Sequence, residues 1–133
     1  MPRPEDIVVG IGLSGTATAE GAAAFLNQVL TSAKIDRARI RALATIDRRA
    51  DNAILAQLAA QLGVPPRTFS AERLERETPR LRNPSASLFA RIGCHGVAEA
   101  AALAEAGEAA RLIVEKTTGP GITVAIAASP RAV

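Results

Sequence analysis

The sequence predicts an α/β domain of three layers, with a mostly parallel sheet and a C-terminal antiparallel hairpin. Three observations predict it. Short β-branched runs alternate with Ala- and Leu-rich segments of helical period, the switches fall at Gly or Pro, and the last two apolar runs are separated by a Gly-Pro-Gly turn. The 133 residues make one domain, 1–133, large enough to bury a core without a disulfide or structural metal.

Ile7-Val8-Val9-Gly10-Ile11-Gly12 reads as a first strand inside the sheet, ending in a Gly-rich turn. Thr16 or Thr18 caps a helix over 19–33, where Ala22, Ala23, Leu26, Val29 and Leu30 share a face. A second strand runs over 39–46 with Asp47 at its carboxyl end. A helix over 50–61 follows and stops at Gly63 and Pro65-Pro66. Arg67-Thr68-Phe69 forms a brief strand, and Ser70 caps a short helix reaching Leu74. Pro79 and Pro84 among polar residues predict a loop over 78–87 on the ligand side. Gly93-Cys94-His95-Gly96 opens a helix over 97–105, ended by Gly107; strands at 111–114 and 122–127 are joined across 117–121.

Composition narrows the function classes. No apolar run approaches the roughly 20 residues of a membrane helix, and the N-terminus lacks the pattern of a secretory signal, so a cytoplasmic protein is expected. Cys94 is the one cysteine and His95 the one histidine, too few for a zinc site, and as sequence neighbours they point apart rather than pairing as nucleophile and base. With a net charge of +3 and three Phe as the only aromatics, the chain does not look like a nucleic-acid binder. Every basic residue except Lys34 and Lys116 is Arg. Codon bias and an anionic ligand both account for that skew.

In an open α/β sheet, ligands bind beyond the carboxyl ends of the strands. That rule gathers the loop from Gly12 through Ser14, Gly15 and Thr16 to Thr18, the strand end at Asp47, and the turn from Gly93 to Gly96 with its His95. Gly10-x-Gly12-x-x-Gly15 has the letters of a dinucleotide fingerprint, but Asp36 comes too early and Asp47 too late to hold a ribose. The loop amides and hydroxyls suit any carboxylate or phosphate, and a tight turn would also explain the glycines. Arg37, Arg39 and Arg41 alternate and would share one face in extended chain. Glu99 falls in the first turn of its helix, where the dipole favours a carboxylate.

Taken in order, Val9-Gly10-Ile11-Gly12, Ala42-Leu43-Ala44-Thr45-Ile46-Asp47, Phe69-Ser70-Ala71-Glu72-Arg73-Leu74, the stretch Gly93-Cys94-His95-Gly96-Val97-Ala98-Glu99-Ala100-Ala101-Ala102-Leu103, and Thr123-Val124-Ala125-Ile126-Ala127 resemble one family over nearly the whole chain. It is the CobE family of cobalamin biosynthesis, similar to the C-terminal domain of CbiG. The resemblance implies binding positions at Gly10, Gly12, Gly15, Thr16, Thr45, Asp47, Gly96, Glu99 and Lys116. Many relatives carry a Cys and basic residues in the first loop, where this chain has Leu13 and Ser14.

The resemblance implies a cytoplasmic vitamin B12 pathway protein that binds a corrin or precorrin polycarboxylate, as a carrier or accessory factor of the aerobic route and with other pathway enzymes as partners. The alternative is a hydrolase that opens the lactone of a precorrin-5A-type intermediate and releases acetaldehyde, with Asp47 and His95 as its acid–base pair. Carrier and hydrolase both need an anion-binding cleft, so the sequence leaves them open, along with the oligomeric state. Neither reading calls for a cofactor, a metal, nucleic acid or a membrane.

Overall fold

The computed structural model describes residues 5–130. Its elements in chain order are β1 (Glu5–Leu13), α1 (Ala19–Ser32), β2 (Ile40–Ile46), α2 (Ala53–Leu62), β3 (Pro66–Phe69), α3 (Ala71–Glu75), α4 (Ala86–Ile92), α5 (Ala98–Ala106), β4 (Arg111–Gly119) and β5 (Ile122–Pro130). The strands form one sheet in the order β3-β2-β1-β5-β4. β1, β2 and β3 are parallel, whereas β5 runs antiparallel to both β1 and β4. The expected α/β architecture is present, with β1 at the centre of the sheet.

Alternation along the strands builds the three layers. Ile7, Val9, Ile11 and Leu13 of β1 join Ile122, Val124 and Ile126 of β5 under Leu26 and Leu30 of α1 and Leu55 and Leu58 of α2. Val8, Ala44 and Ala127 face the other way, toward Ala101, Ala102 and Leu103 of α5 and Leu74 of α3. The second face is built largely of Ala, and α5 lies very close to the sheet. A Cβ on Gly10 would stand 2.0 Å from the Ala98 carbonyl oxygen and 2.8 Å from the Ala102 nitrogen. One on Gly12 would meet the Thr123 hydroxyl at 2.6 Å. Both residues lie within β1, which runs on to Leu13 rather than turning at Gly12. The first two fingerprint glycines therefore mark close packing, not a phosphate loop.

Local chemistry fixes the element ends. The Thr18 hydroxyl accepts from Gly21 N–H to cap α1, and the Ser70 hydroxyl accepts from Arg73 N–H to cap α3. α2 is capped by Asn52 and ends at Gly63, in the left-handed conformation (φ 69°). β4 and β5 are longer than the sequence suggests and meet in a tight turn at Pro120-Gly121, where Gly121 takes φ 74°. The 78–87 stretch is not all loop. Thr78–Arg80 is a 3₁₀ turn, and Ser85 accepts from Leu88 N–H to start α4, because Pro84 lies just outside the helix and does not interrupt it. Arg37–Arg39 is a 3₁₀ turn rather than extended chain. Arg37 donates to Asn27, Arg39 pairs with Asp36 and Arg41 with Glu105, which disperses the expected Arg face. No helix among the described residues is long and apolar enough to cross a membrane.

Overpacking at the closest approach of α5 to β1 supplies a stability test. Gly10→Ala is expected to destabilise by about 3 kcal/mol or more, because its methyl meets backbone that cannot rotate away. Gly15→Ala, with nothing within 4 Å of the added carbon, should stay within about 0.5 kcal/mol of the parent. Thermal unfolding of the two variants checks the contrast.

Candidate functional site

At the carboxyl ends of β1 and β2 lies a cavity of about 540 Å³. One wall is the chain leaving β1, Gly12 to Gly15; a second is Ile46, Arg48 and Arg49 after β2. α4 contributes Leu88, Arg91 and Ile92, the turn into α5 contributes His95 to Glu99, and the β4–β5 hairpin closes the rim with Lys116, Thr118 and Ile122. Leu13, Ile46, Leu88, Ile92, Val97 and Ile122 make an apolar surface. Arg48, Arg49, Arg91 and Lys116 have no ion-pair partner among the described residues, whereas the Arg residues away from the cavity that form ion pairs do so with Asp36, Asp6, Glu105, Glu77 and Glu5.

Glu99 organises the inner end. It is 2% exposed, yet its carboxylate is fully occupied: Oε1 accepts the backbone N–H groups of Arg82 and Asn83, both at 3.0 Å, and Oε2 accepts the Asn83 side-chain amide and the Lys116 backbone N–H, both at 2.9 Å. Lys116 N–H is available because the β4–β5 ladder is irregular between Val114 and Thr117. Burial alone would push the Glu99 carboxyl up, but the N–H groups of Lys116, Asn83 and Arg82 outweigh it and hold the group below its ordinary 4.5. Glu99 is thus an ionised structural tie. No side chain caps the first turn of α5, which borders the cavity.

The predicted site residues divide. Gly12, Ser14, Gly15, His95, Gly96, Glu99 and Lys116 line the cavity. Thr45 does not: it is fully buried, and its hydroxyl donates to the Ile11 carbonyl at 2.7 Å, tying β2 to β1. Thr16 does not either; it is exposed, with its hydroxyl 2.8 Å from that of Ser14. Asp47 is exposed at the start of a 3₁₀ turn, outside the cavity lining. Of the two residues expected as an acid–base pair, His95 is on the lining and Asp47 is not, and the partner of His95 Nδ1 is Glu75, at 2.9 Å. Cys94 and His95 diverge: the thiol is free and buried in the α5-side core, and burial pushes it up. Among the described residues no three His, Cys, Asp or Glu side chains cluster as a metal site would require.

Sequence reasoning missed Glu75, Asn83, Arg91 and the apolar face of α4. The available signal was Ser85 as a cap and Gly93 as a stop around Leu88 and Ile92. Glu75 had none, since its partner lies 20 residues along the chain.

Comparison with known proteins identifies the family and the fold. The family model described as cobalamin synthesis G C-terminus matches residues 7–127. A protein CobE of a Sinorhizobium species is 39% identical over 121 residues, covering 91% of this chain and 79% of that protein. A cobalt-precorrin-5A hydrolase of Priestia megaterium is 25% identical over 128 residues; the match covers 96% of this chain but 33% of that protein. Among solved structures, a CobE from the cobalamin (vitamin B12) biosynthetic pathway superposes with a TM-score of 0.84 at 34% identity, covering 96% of this chain and 93% of the other. The cobalamin biosynthesis protein chiG of Agrobacterium tumefaciens gives 0.72 at 31% identity, covering 94% and 99%.

The Glu99 tie has a pH signature. A carboxyl depressed in the folded state contributes stability that is complete above its unfolded value, about 4.5, and is lost as pH falls through the lower folded value. Acid unfolding below pH 4.5 should therefore be steep in the parent and flatter in Glu99→Gln. At pH 7 the Gln variant should be less stable by about 2–4 kcal/mol, since its amide turns N–H donors toward N–H donors. Urea unfolding at pH 7 and pH 4 measures both effects.

Proposed function

The chain belongs to the cobalamin synthesis G C-terminus family and is a cobalamin biosynthesis protein; from that premise we propose that its cavity binds a corrin or precorrin polycarboxylate and that the protein acts as a carrier or accessory factor. One observation carries the reading: four cations without ion-pair partners, Arg48, Arg49, Arg91 and Lys116, surround an apolar surface. A corrin precursor is a flat apolar ring edged with acetate and propionate arms. Arg forks suit such arms, and the N-terminus of α5, which no side chain caps, adds a favourable field. Other pathway enzymes would then deliver or receive the ligand.

The charge balance supports an anion over a neutral or cationic ligand. Glu99 is the one acidic side chain on the lining, and four N–H donors already occupy it. The cations therefore meet no competing carboxylate across the cavity. Hydrolase chemistry is the narrower alternative, because Asp47 lies outside the cavity lining that His95 joins.

Absorbance titration with a cobalt-free corrin polycarboxylate tests the proposal. Binding should weaken with added salt, and Arg48→Ala or Arg91→Ala should each lower affinity about three- to tenfold. Arg37→Ala, remote from the cavity, should change nothing; equal losses at Arg37 and Arg48 would reject the assignment. Incubation with cobalt-precorrin-5A should give a stoichiometric spectral shift without acetaldehyde. Catalytic acetaldehyde release would replace the carrier by the hydrolase.

A further inference from the structure

His95 lines the cavity, and its ring is held on two sides. Nδ1 lies 3.0 and 2.9 Å from the two oxygens of Glu75. Glu75 Oε1 also accepts the His95 backbone N–H and the Thr78 hydroxyl, each at 2.9 Å. Phe89 stacks on the ring with centroids 4.5 Å apart. A neutral imidazole beside a carboxylate carries its proton on the nitrogen facing that carboxylate. The other nitrogen, Nε2, then keeps its lone pair, and it has no hydrogen-bond partner among the described residues. The hydrogen bond from His95, more than any other influence, holds the Glu75 carboxyl below its ordinary range, so it stays ionised at neutral pH.

The charged groups around the ring leave Nε2 a distinct part. Arg48, Arg49 and Arg91 on the neighbouring walls and Lys116 across the rim offer only donors, and Glu99 is fully occupied. The neighbouring thiol of Cys94 is buried on the far side. Ser and Thr hydroxyls aside, nothing on the lining has a free acceptor among its side chains except Nε2 and the Asn83 amide oxygen.

We propose that Glu75 is a positioning residue that holds His95 as its Nδ1–H tautomer, so that Nε2 accepts a hydrogen bond from an N–H or O–H group of the ligand. The inference rests on the corrin-polycarboxylate reading of the same cavity and adds selectivity to it. Arg and Lys donors take the carboxylate arms, whereas the Nε2 lone pair repels a carboxylate oxygen and favours a donor between the arms.

Because the chain has a single His, ¹⁵N imidazole NMR reads His95 without assignment ambiguity. At pH 9, where the ring is read in its neutral form, the free protein should show a protonated Nδ1 and an unprotonated Nε2, and Glu75→Gln should mix the tautomers. Thr78→Ala, which removes only the hydroxyl donor to Glu75, should keep the parent pattern; a change as large as that of Glu75→Gln would reduce Glu75 to a loop support and overturn the proposal. An Nε2–H tautomer of the neutral ring would also overturn it. On titration with a cobalt-free corrin polycarboxylate, the Nε2 resonance should shift, and His95→Phe should lower affinity about three- to tenfold. Saturable absorbance changes without an Nε2 response would sink this assignment and leave the proposed function standing. No binding at all would remove the proposed function, while the tautomer of the free protein would still judge the role of Glu75.

Discussion

The carboxylate of Glu99 joins three segments distant in sequence: the first turn of α5, the bend at Arg82 and Asn83, and the irregular stretch of β4 at Lys116. A buried charge is tolerable only when its lone pairs are filled, and here four N–H donors fill them. The position of α5 follows from this tie at one end and from Arg80 at the other, where the guanidinium donates to the carbonyls of Leu103, Gly107 and Ala110 and is itself paired with Glu77. Between those anchors, Ala and Gly side chains let the helix lie almost against β1. The cavity is the space left where the helix starts and the parallel strands stop.

Charge distribution follows from the same arrangement. Several Arg residues elsewhere on the molecule meet acids in pairs, as Arg41 and Arg67 do at Glu105 and Arg111 does at Glu5. At the cavity the one acid is neutralised by backbone and amide donors rather than by a cation, so the nearby Arg and Lys side chains remain available. An apolar floor with donors at its edge is compatible with a flat ligand carrying several carboxylates, whereas a nucleotide phosphate would need a glycine loop free to cradle it. Gly10 and Gly12 are committed to packing instead.

The elements legible in the sequence were those with a strong local signal. The run from Ile7 to Ile11, the helical period of Leu26 and Leu30, and the caps at Thr18 and Ser70 all depend on neighbours a few residues apart. α4 was missed because Pro79 and Pro84 dominate its approach, although the prolines stop short of the helix. The first-loop and α5-turn positions reached the cavity because strand order alone sends them to the carboxyl end of the sheet. Asp47 followed the same rule but not its outcome, turning out into a 3₁₀ segment, and Thr45, expected from the resemblance, points into the sheet toward Ile11.

By itself the sequence determined the α/β class, a central β1, the cap at Ser70 and the family, since periodicity, turn residues and motif order are local properties of the chain. Only the tertiary structure decided that Gly10 and Gly12 are packing positions, that His95 pairs with Glu75, and that Glu99 is a tie rather than a free acid. Those assignments depend on which distant backbone groups arrive within about 3 Å of a side chain, and no spacing along the chain encodes that distance.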